Sequence, residues 1–300
     1  MNSLAIVIPY YKLKFFRHTL ESLASQSNKS FTVYIGNDGS PENPDCIISE
    51  YQSRISINYT DFKNNVGSTS LVNHWRRCIS MVNDEKYLMI LGDDDILDPD
   101  CIQEFYKVVD LIEKQNIKVL RYATRVIDVL GKPIGKEHYC VQYESSLEFF
   151  IKKLSGKARS SLSEYIFLLE QAKLSRLELP LAWYADDLLY LKASDFGTIY
   201  TINESKVNVR ASSLNISGNK LLNRKKNIAS NVFFHHLLTR FEDWFIERDK
   251  NLLLTKLEKS VINDKTNLKL FFNLIHVYFK NGEFRRVMPF LKNAFKSIRF

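Results

Sequence analysis

"KYLMILGDDDILDPD", residues 86–100, is the stretch on which the reading of this 300-residue chain turns. Tyr87–Leu91 is a run of five large apolar residues, and after Gly92 stand Asp93, Asp94 and Asp95. An unbroken short apolar run suits a strand covered on both faces. Three adjacent carboxylates repel one another and are expensive to take out of water. Two uses would justify that charge. Carboxylates at a strand end can hold a hard divalent cation, Mg²⁺ or Mn²⁺, through oxygen. Acids at the start of a following helix are favoured by its dipole. Position separates the two uses. Asp98 is placed to cap the helix that follows, with Pro99 in its first turn. Asp93 and Asp94 precede the turn and fit a ligand role.

Working outward, the same grammar recurs. "SLAIVIPYY" (3–11), "FTVYIGNDGS" (31–40) and "ISINYTDF" (55–62) read as strands, separated by segments with apolar residues at helical spacing such as Phe16, Leu20, Leu23 and Ala24. Strand–helix alternation over the first 115 residues predicts a mostly parallel, right-handed βαβ sheet, Rossmann-like, with helices on both faces. Ligands gather at the carboxyl ends of such strands. Tyr10-Tyr11, Asn37-Asp38-Gly39-Ser40 and Asp93–Asp95 all fall at those ends, so the fold brings three distant motifs to one rim. Asp38 by itself reads either as an acceptor for a nucleobase N–H or sugar hydroxyl, or as an Asx turn before Gly39.

Beyond residue 117, "IKVLRYATRVIDV" reads as a strand, "SSLEFFIKKL" and "SLSEYIFLLEQAKL" as helices, and "LAWYADDLLYLKASDFG" as a loop running into a helix closed by Gly197. "TIYTINESKVNVRAS" reads as a strand pair. From Lys225 helical spacing dominates, with helices expected over 226–250, 264–281 and 283–298. The expected domains are 1–215, catalytic, and 216–300, a basic helical extension.

Composition narrows the class. The chain is 45% hydrophobic, with only 10 Gly and 7 Pro, which is globular and argues against disorder. Cys46, Cys78, Cys101 and Cys140 form no CxxC and have no His at metal-ligand spacing, so reduced thiols and a cytoplasmic location are expected. The N-terminus lacks a signal-peptide pattern, and no apolar run is long enough to span a membrane. The net charge of +8 divides into −3 for residues 1–200 and +11 for 201–300. Such a tail suggests an acidic partner, or simply a solvated basic helical surface.

The motifs "VIPYY", "NDGS", "NNVG", "LGDDDILDPD" and "YADDLLYLKAS" follow one another in an order that resembles family 2 glycosyltransferases of the GT-A fold, over roughly residues 3–215. That resemblance implies an inverting, metal-dependent transfer of a sugar from a nucleotide-diphosphate donor, UDP-linked, to a hydroxyl acceptor. The implied setting is polysaccharide or lipid-linked glycan synthesis at the inner face of a cell membrane. It assigns roles as follows. Pro9 and Tyr11 line the nucleotide pocket, Asp38 binds the base and Asp93 the ribose. Gly92 replaces the first Asp of the usual "DADD", which leaves Asp94 and Asp95 as the metal ligands, and the register of "ILDPD" downstream makes Asp94 the chief one. Asp187 is the base that deprotonates the acceptor, with Asp186 beside it; taken apart from the motif order, the two could equally cap a helix. Asn65, Gly67 and Asn73 lie toward the donor, and Arg210 toward the leaving diphosphate.

Two rival classes fit the sequence less well. A nucleotidyltransferase or phosphatase on a similar sheet lacks support, since there is no basic Gly-rich loop near the N-terminus. A binder of nucleic acid through the basic tail would need a recognition signature that is absent. Residues 284–298 can form a basic amphipathic helix with Phe284, Val287, Met288, Leu291, Ala294, Phe295 and Ile298 close to one stripe, which would either lie in an anionic membrane interface or cover the core of the catalytic domain.

Overall fold

The computed structural model describes residues 3–172, 177–212, 216 and 218–296, with side chains described as far as Lys292. The apolar runs at the start of the chain form strands β1 (Leu4–Tyr10), β2 (Phe31–Asn37), β3 (Ile57–Asp61) and β4 (Tyr87–Ile90). Helices α1 (Phe16–Ala24), α2 (Asp45–Tyr51) and α3 (Leu71–Ile79) connect them. The four strands are parallel in the order β3-β2-β1-β4. Ile6, Ile8, Val33, Ile35 and Met89 are fully buried in a core shared with Leu20 of α1 and Phe105 of the next helix.

The chain then adds β5 (Ile96–Leu97), α4 (Cys101–Lys114), β6 (Val119–Ile127), β7 (Tyr143–Ser145), α5 (Ser146–Leu154), β8 (Tyr165–Leu168), α6 (Ala185–Ala193) and β9 (Thr198–Arg210). The nine strands form one sheet, β3-β2-β1-β4-β8-β6-β9-β5, with β7 also paired to β9. β6 and β9 run parallel to each other, and β8 lies antiparallel between β4 and β6. The sheet is mixed: six strands run in one direction, as the expected mostly parallel α/β sheet requires, and β5, β7 and β8 run against their neighbours.

Four local expectations are corrected. "SLSEYIFLLEQAKL" is not a helix. Leu162–Glu164 is a single 3₁₀ turn and Tyr165–Leu168 is β8, while Lys173 and Leu174 lie outside the described residues. Tyr165, Ile166 and Phe167 are completely buried, and a strand covered on both faces shows no alternation to tell it from a helix. Asp98 does not cap α4, which begins at Cys101 after Asp100. Instead its carboxylate accepts a 2.8 Å bond from Asn208 Nδ2, because Ile96–Leu97 is tied to β9 as an edge strand. "TIYTINESKVNVR" is one strand, irregular where pairing with β6 jumps from Ile202 to Lys206. The helix expected over 226–250 breaks at Phe241–Ile246, giving α7 (Asn223–Arg240) and α8 (Glu247–Asn263).

By its internal contacts the chain divides into two compact units, Met1–Arg176 with Ala185–Gly218, and Leu177–Tyr184 with Asn219–Phe300. The boundary expected near 215 falls outside the described residues. The second unit is helical: α7, α8, α9 (Leu268–Lys280) and α10 (Phe284–Lys296). The segment 177–184 belongs to it because the Tyr184 ring stacks on Phe233 of α7, 4.6 Å between centroids. Buried Asn231 ties three helices together, donating to Ser260 Oγ (2.8 Å) and the Leu270 carbonyl (3.2 Å) while accepting from Asn273 (2.7 Å). Ala294, Phe295 and Ile298 of the expected apolar stripe lie beyond the described side chains. No helix among the described residues is long and apolar enough to cross a membrane.

Candidate active site

Adjacent parallel strands end on one side of the sheet, so β1, β2 and β4 deliver their following loops to a common rim. After β4 the backbone turns tightly, Asp95 N–H reaching the Gly92 carbonyl at 3.3 Å. A side chain at 92 would put its Cβ 3.1 Å from Asp94 Oδ1 and from Asp95 Oδ2. Glycine at this position lets the two carboxylates fold back over the backbone.

The three aspartates have different surroundings. Asp93 Oδ2 accepts the Tyr11 and Lys12 N–H groups at 2.9 and 2.8 Å, fastening the β1 loop to the β4 loop. Asp95, 5% exposed, accepts from the Ser163 hydroxyl and from Arg210 N–H at 2.9 Å. The Asp94 carboxylate accepts no hydrogen bond from any other described residue. Burial, with the charge of Asp94, pushes Asp93 up to about 6. Burial, with the charge of Asp95, pushes Asp94 up to about 7, and Asp95 is raised by burial as well. An extra positive charge beside Asp94 would relieve all three. Among the described residues no three His, Cys, Asp or Glu side chains converge to hold a metal. The donor set is thus one open carboxylate with another beside it, which suits a cation that keeps most of its ligands from water and substrate phosphate, as Mg²⁺ does.

The β2 loop is built around Asp38, 3% exposed. Its oxygens accept Val66 N–H (2.9 Å) and Gly67 N–H (2.8 Å) and pair with Arg77, whose guanidinium lies 4.1 Å over the Phe62 ring. A Cβ at Gly67 would stand 2.4 Å from Asp38 Oδ2, which is why that position has no side chain. His74 Nδ1 accepts from Arg77 Nε at 3.1 Å, and burial drives its pKa down to about 4, so it is neutral here. Asp38 therefore shapes the 64–70 turn, a duty the sequence did not reveal. Asn65 is exposed and folds its Oδ1 back onto Ser68 N–H, and Asn73 Oδ1 accepts from Arg76. Pro9 pairs with Gly36 in the sheet, while Tyr11 is 37% exposed at the rim.

Arg210 is 1% exposed, which rules out a surface arginine on an edge strand. Its Nε donates to the Asp94 carbonyl (2.9 Å) and Nη1 to the Asp128 carbonyl (2.8 Å), and it stacks 4.5 Å over Phe15. The side chain fastens the aspartate loop from beneath.

Asp186 and Asp187 lie in the first turn of α6. Asp187 is 1% exposed and Asp186 is partly exposed. Lys153, from the last turn of α5, donates to Asp187 Oδ1 and Oδ2 at 2.8 and 2.9 Å and lies 3.5 Å from Asp186. Tyr190 donates to Asp187 Oδ1 at 3.0 Å. Burial raises the Asp187 pKa to about 6 against the pull of Lys153.

Residues 5–158 match the family model described as Glycosyl transferase family 2. The chain belongs to that family. No curated protein matches the sequence. Among solved structures, S. aureus TarS 1–349 in complex with UDP-GlcNAc aligns with a TM-score of 0.65 at 16% identity, over 92% of this chain and 79% of that one. TarS 1–349 in complex with UDP gives 0.61 at 16%, over 88% and 73%. The longer S. aureus TarS structure gives 0.61 at 16%, over 88% and 44%. At this identity the likeness speaks for the fold, which is GT-A-type.

In this glycosyltransferase the backbone links the expected donor-side residues directly: Asp93 to Tyr11, Asp38 N–H to the Tyr10 carbonyl (3.1 Å), Asp38 to Gly67, and Asp94 and Asp95 to Arg210. The residues missed from sequence are Ser163, Lys153, Tyr190 and Arg77. Ser163 could have been found only by recognising β8. An antiparallel strand beside β4 starts where β4 ends, so the turn before it meets the aspartate loop.

Proposed function

We propose that this glycosyltransferase moves a sugar from a UDP-sugar to a hydroxyl acceptor with inversion, using Mg²⁺ or Mn²⁺. The observation that carries the reading is Asp94, a carboxylate at the sheet rim that accepts from no other described residue and stands between two engaged neighbours. The TarS complexes with UDP and UDP-GlcNAc support a UDP-sugar donor for a chain of the same fold. Tyr11 and Pro9 would line the base pocket together with the turn that Asp38 and Gly67 hold, and Asn65 and Asn73 would flank the diphosphate side. Asp93 would meet the ribose. Asp94 would hold the cation with Asp95 behind it, and the cation would act as a Lewis acid on the departing diphosphate. Arg210 keeps that loop in place and adds positive charge beneath it. Asp187 would take the acceptor's proton, with Asp186 at its side; a pKa near 6 suits a base at neutral pH.

The acceptor we infer is a growing polysaccharide or lipid-linked glycan, reached by an enzyme resting on the cytoplasmic face of a membrane. The support for this is in the second unit. Leu268, Phe272 and Phe279 on α9 and Phe284 and Met288 on α10 are all more than half exposed, with Lys269, Lys280, Arg285 and Lys292 among them. An apolar face edged with cations suits an anionic bilayer surface.

A thermal-shift titration with UDP-GlcNAc and other nucleotide-sugars, with and without Mn²⁺, tests the donor. Saturation at a hundredfold excess over Kd adds about 2.7 kcal/mol of stability. Release of UDP from the bound donor supports transfer, whereas pyrophosphate as product would overturn it. No shift with any UDP-sugar in the presence of metal refutes the donor assignment.

A further inference from the structure

The proposed reaction needs a carboxylate that is charged when the acceptor arrives, and the inference that follows rests on that reading. Asp187 is ill placed to stay charged by itself, since it is almost completely buried in the first turn of α6. The groups that face it are Asp186 and Tyr190 on α6, Lys153 on α5 and Tyr165 on β8, while Glu164, in the turn before β8, faces Lys153. Of these, Lys153 alone is a cation. Arg121 and Arg159 also act on Glu164, and Arg121 is engaged with Glu144 and Thr201.

The geometry is specific. Lys153 Nζ bonds both oxygens of Asp187, and Tyr190 bonds Oδ1. A carboxylate has about four acceptor sites. The described donors fill both on Oδ1 and one on Oδ2, which leaves one lone pair on Oδ2 among the described residues. Burial would pull the lysine toward its neutral form, but Asp186 and Asp187 outweigh that pull and raise its pKa. The same turn connects the two halves of the site. Ser163 holds Asp95, and its neighbour Glu164 acts on Lys153.

We propose that Lys153 is the positioning residue of the acceptor-side base: its ammonium grips both oxygens of Asp187, keeps the carboxylate ionised in a buried site, and leaves one Oδ2 lone pair for the acceptor's proton. In the step it serves, the acceptor O–H bond breaks and its proton goes to Oδ2. The acceptor oxygen bonds the anomeric carbon, and the carbon–oxygen bond to the diphosphate breaks with its electron pair leaving on the nucleotide. Lys153 itself gives up no proton.

The test uses the full chain with ¹³C-carboxyl aspartate, the Asp187 resonance assigned through Asp187→Asn. Wild type should titrate near pH 6. Lys153→Met and Lys153→Gln should each raise the midpoint by about one unit or more, and Lys153→Arg should restore it. UDP release from UDP-GlcNAc, with water as acceptor, should show its acidic limb moving the same way, with KM for UDP-GlcNAc changed less than about twofold, because among the described residues Lys153 bonds only the acceptor-side pair Asp186 and Asp187. A Lys153→Met protein with the wild-type Asp187 midpoint, beside an inactive Asp187→Asn, overturns this proposal alone. Wild-type UDP release by Asp187→Asn overturns the role of Asp187 and this proposal with it. Should Lys153→Met not fold, Lys153→Gln and Lys153→Arg carry the same comparison.

Discussion

Replacing Asp38 by Asn tests whether the residue builds the site or only touches the ligand. In the ligand-free protein its carboxylate accepts Val66 N–H at 2.9 Å, Gly67 N–H at 2.8 Å and the Arg77 guanidinium. Asparagine keeps one oxygen and turns an NH₂ toward groups that are themselves donors. One backbone N–H then loses its acceptor, at roughly 1–3 kcal/mol, and Arg77 loses a charge-assisted bond worth about 1.5–3 kcal/mol. Part of this is recovered, because Arg77 also reaches the Asn64 carbonyl at 2.8 Å and is partly solvated. The expected net loss is about 2–4 kcal/mol. It should appear as a lower urea midpoint at unchanged m-value, with faster amide exchange confined first to residues 64–70. A residue that served only to bind a nucleobase would leave the ligand-free midpoint where it is. A loss below about 0.5 kcal/mol with unaltered exchange would therefore refute the reasoning.

Further outcomes follow from the same structure. In the metal-free protein Asp94 has a folded-state pKa near 7, above the roughly 3.9 of an unfolded chain, so folding binds protons between those values and stability falls as pH rises through that window. Asp94→Asn should thus raise the Tm of the metal-free protein at pH 8, by less at pH 5, while abolishing any Mn²⁺-dependent gain; a lower Tm at pH 8 would contradict this. Gly67→Ala, with its Cβ 2.4 Å from Asp38 Oδ2, should cost about 1–3 kcal/mol in urea unfolding, and a neutral result would mean the turn yields freely. Phe272→Asp with Phe279→Asp should abolish co-sedimentation with phosphatidylglycerol vesicles while UDP release persists; equal binding to phosphatidylcholine vesicles would remove the electrostatic part of the argument.

Much of the first unit was legible because its signals are local. Short apolar runs ending in Pro, Asp-Gly or Gly-Asp mark parallel strands, and in a βαβ sheet each run's carboxyl end is a site position wherever it falls in the chain. Tyr11, Asp38 and Asp93 were placed on the rim in this way, and hydrogen bonds do join Asp93 to Tyr11 and Asp38 to the Tyr10 carbonyl. β8 was not legible, since Tyr165–Phe167 is buried on both faces and so lacks a period. Its absence from the reading hid Ser163, which holds Asp95, and Glu164, which faces Lys153.

By itself, then, the sequence determined that three adjacent aspartates would stand at a strand end on the rim of the sheet, and that a second acidic pair would open a helix far along the chain. Only the tertiary structure decided how the members of each group differ. Asp93 Oδ2 accepts from Tyr11 and Lys12, Asp95 accepts from Ser163 and Arg210, and the Asp94 carboxylate accepts from no other described residue. Asp187 is buried beneath Lys153, and Asp186 is partly exposed. The partners lie 34 to 115 residues away in sequence. What a carboxylate can do depends on its burial and its donors, and those belong to the packing of distant segments rather than to any motif.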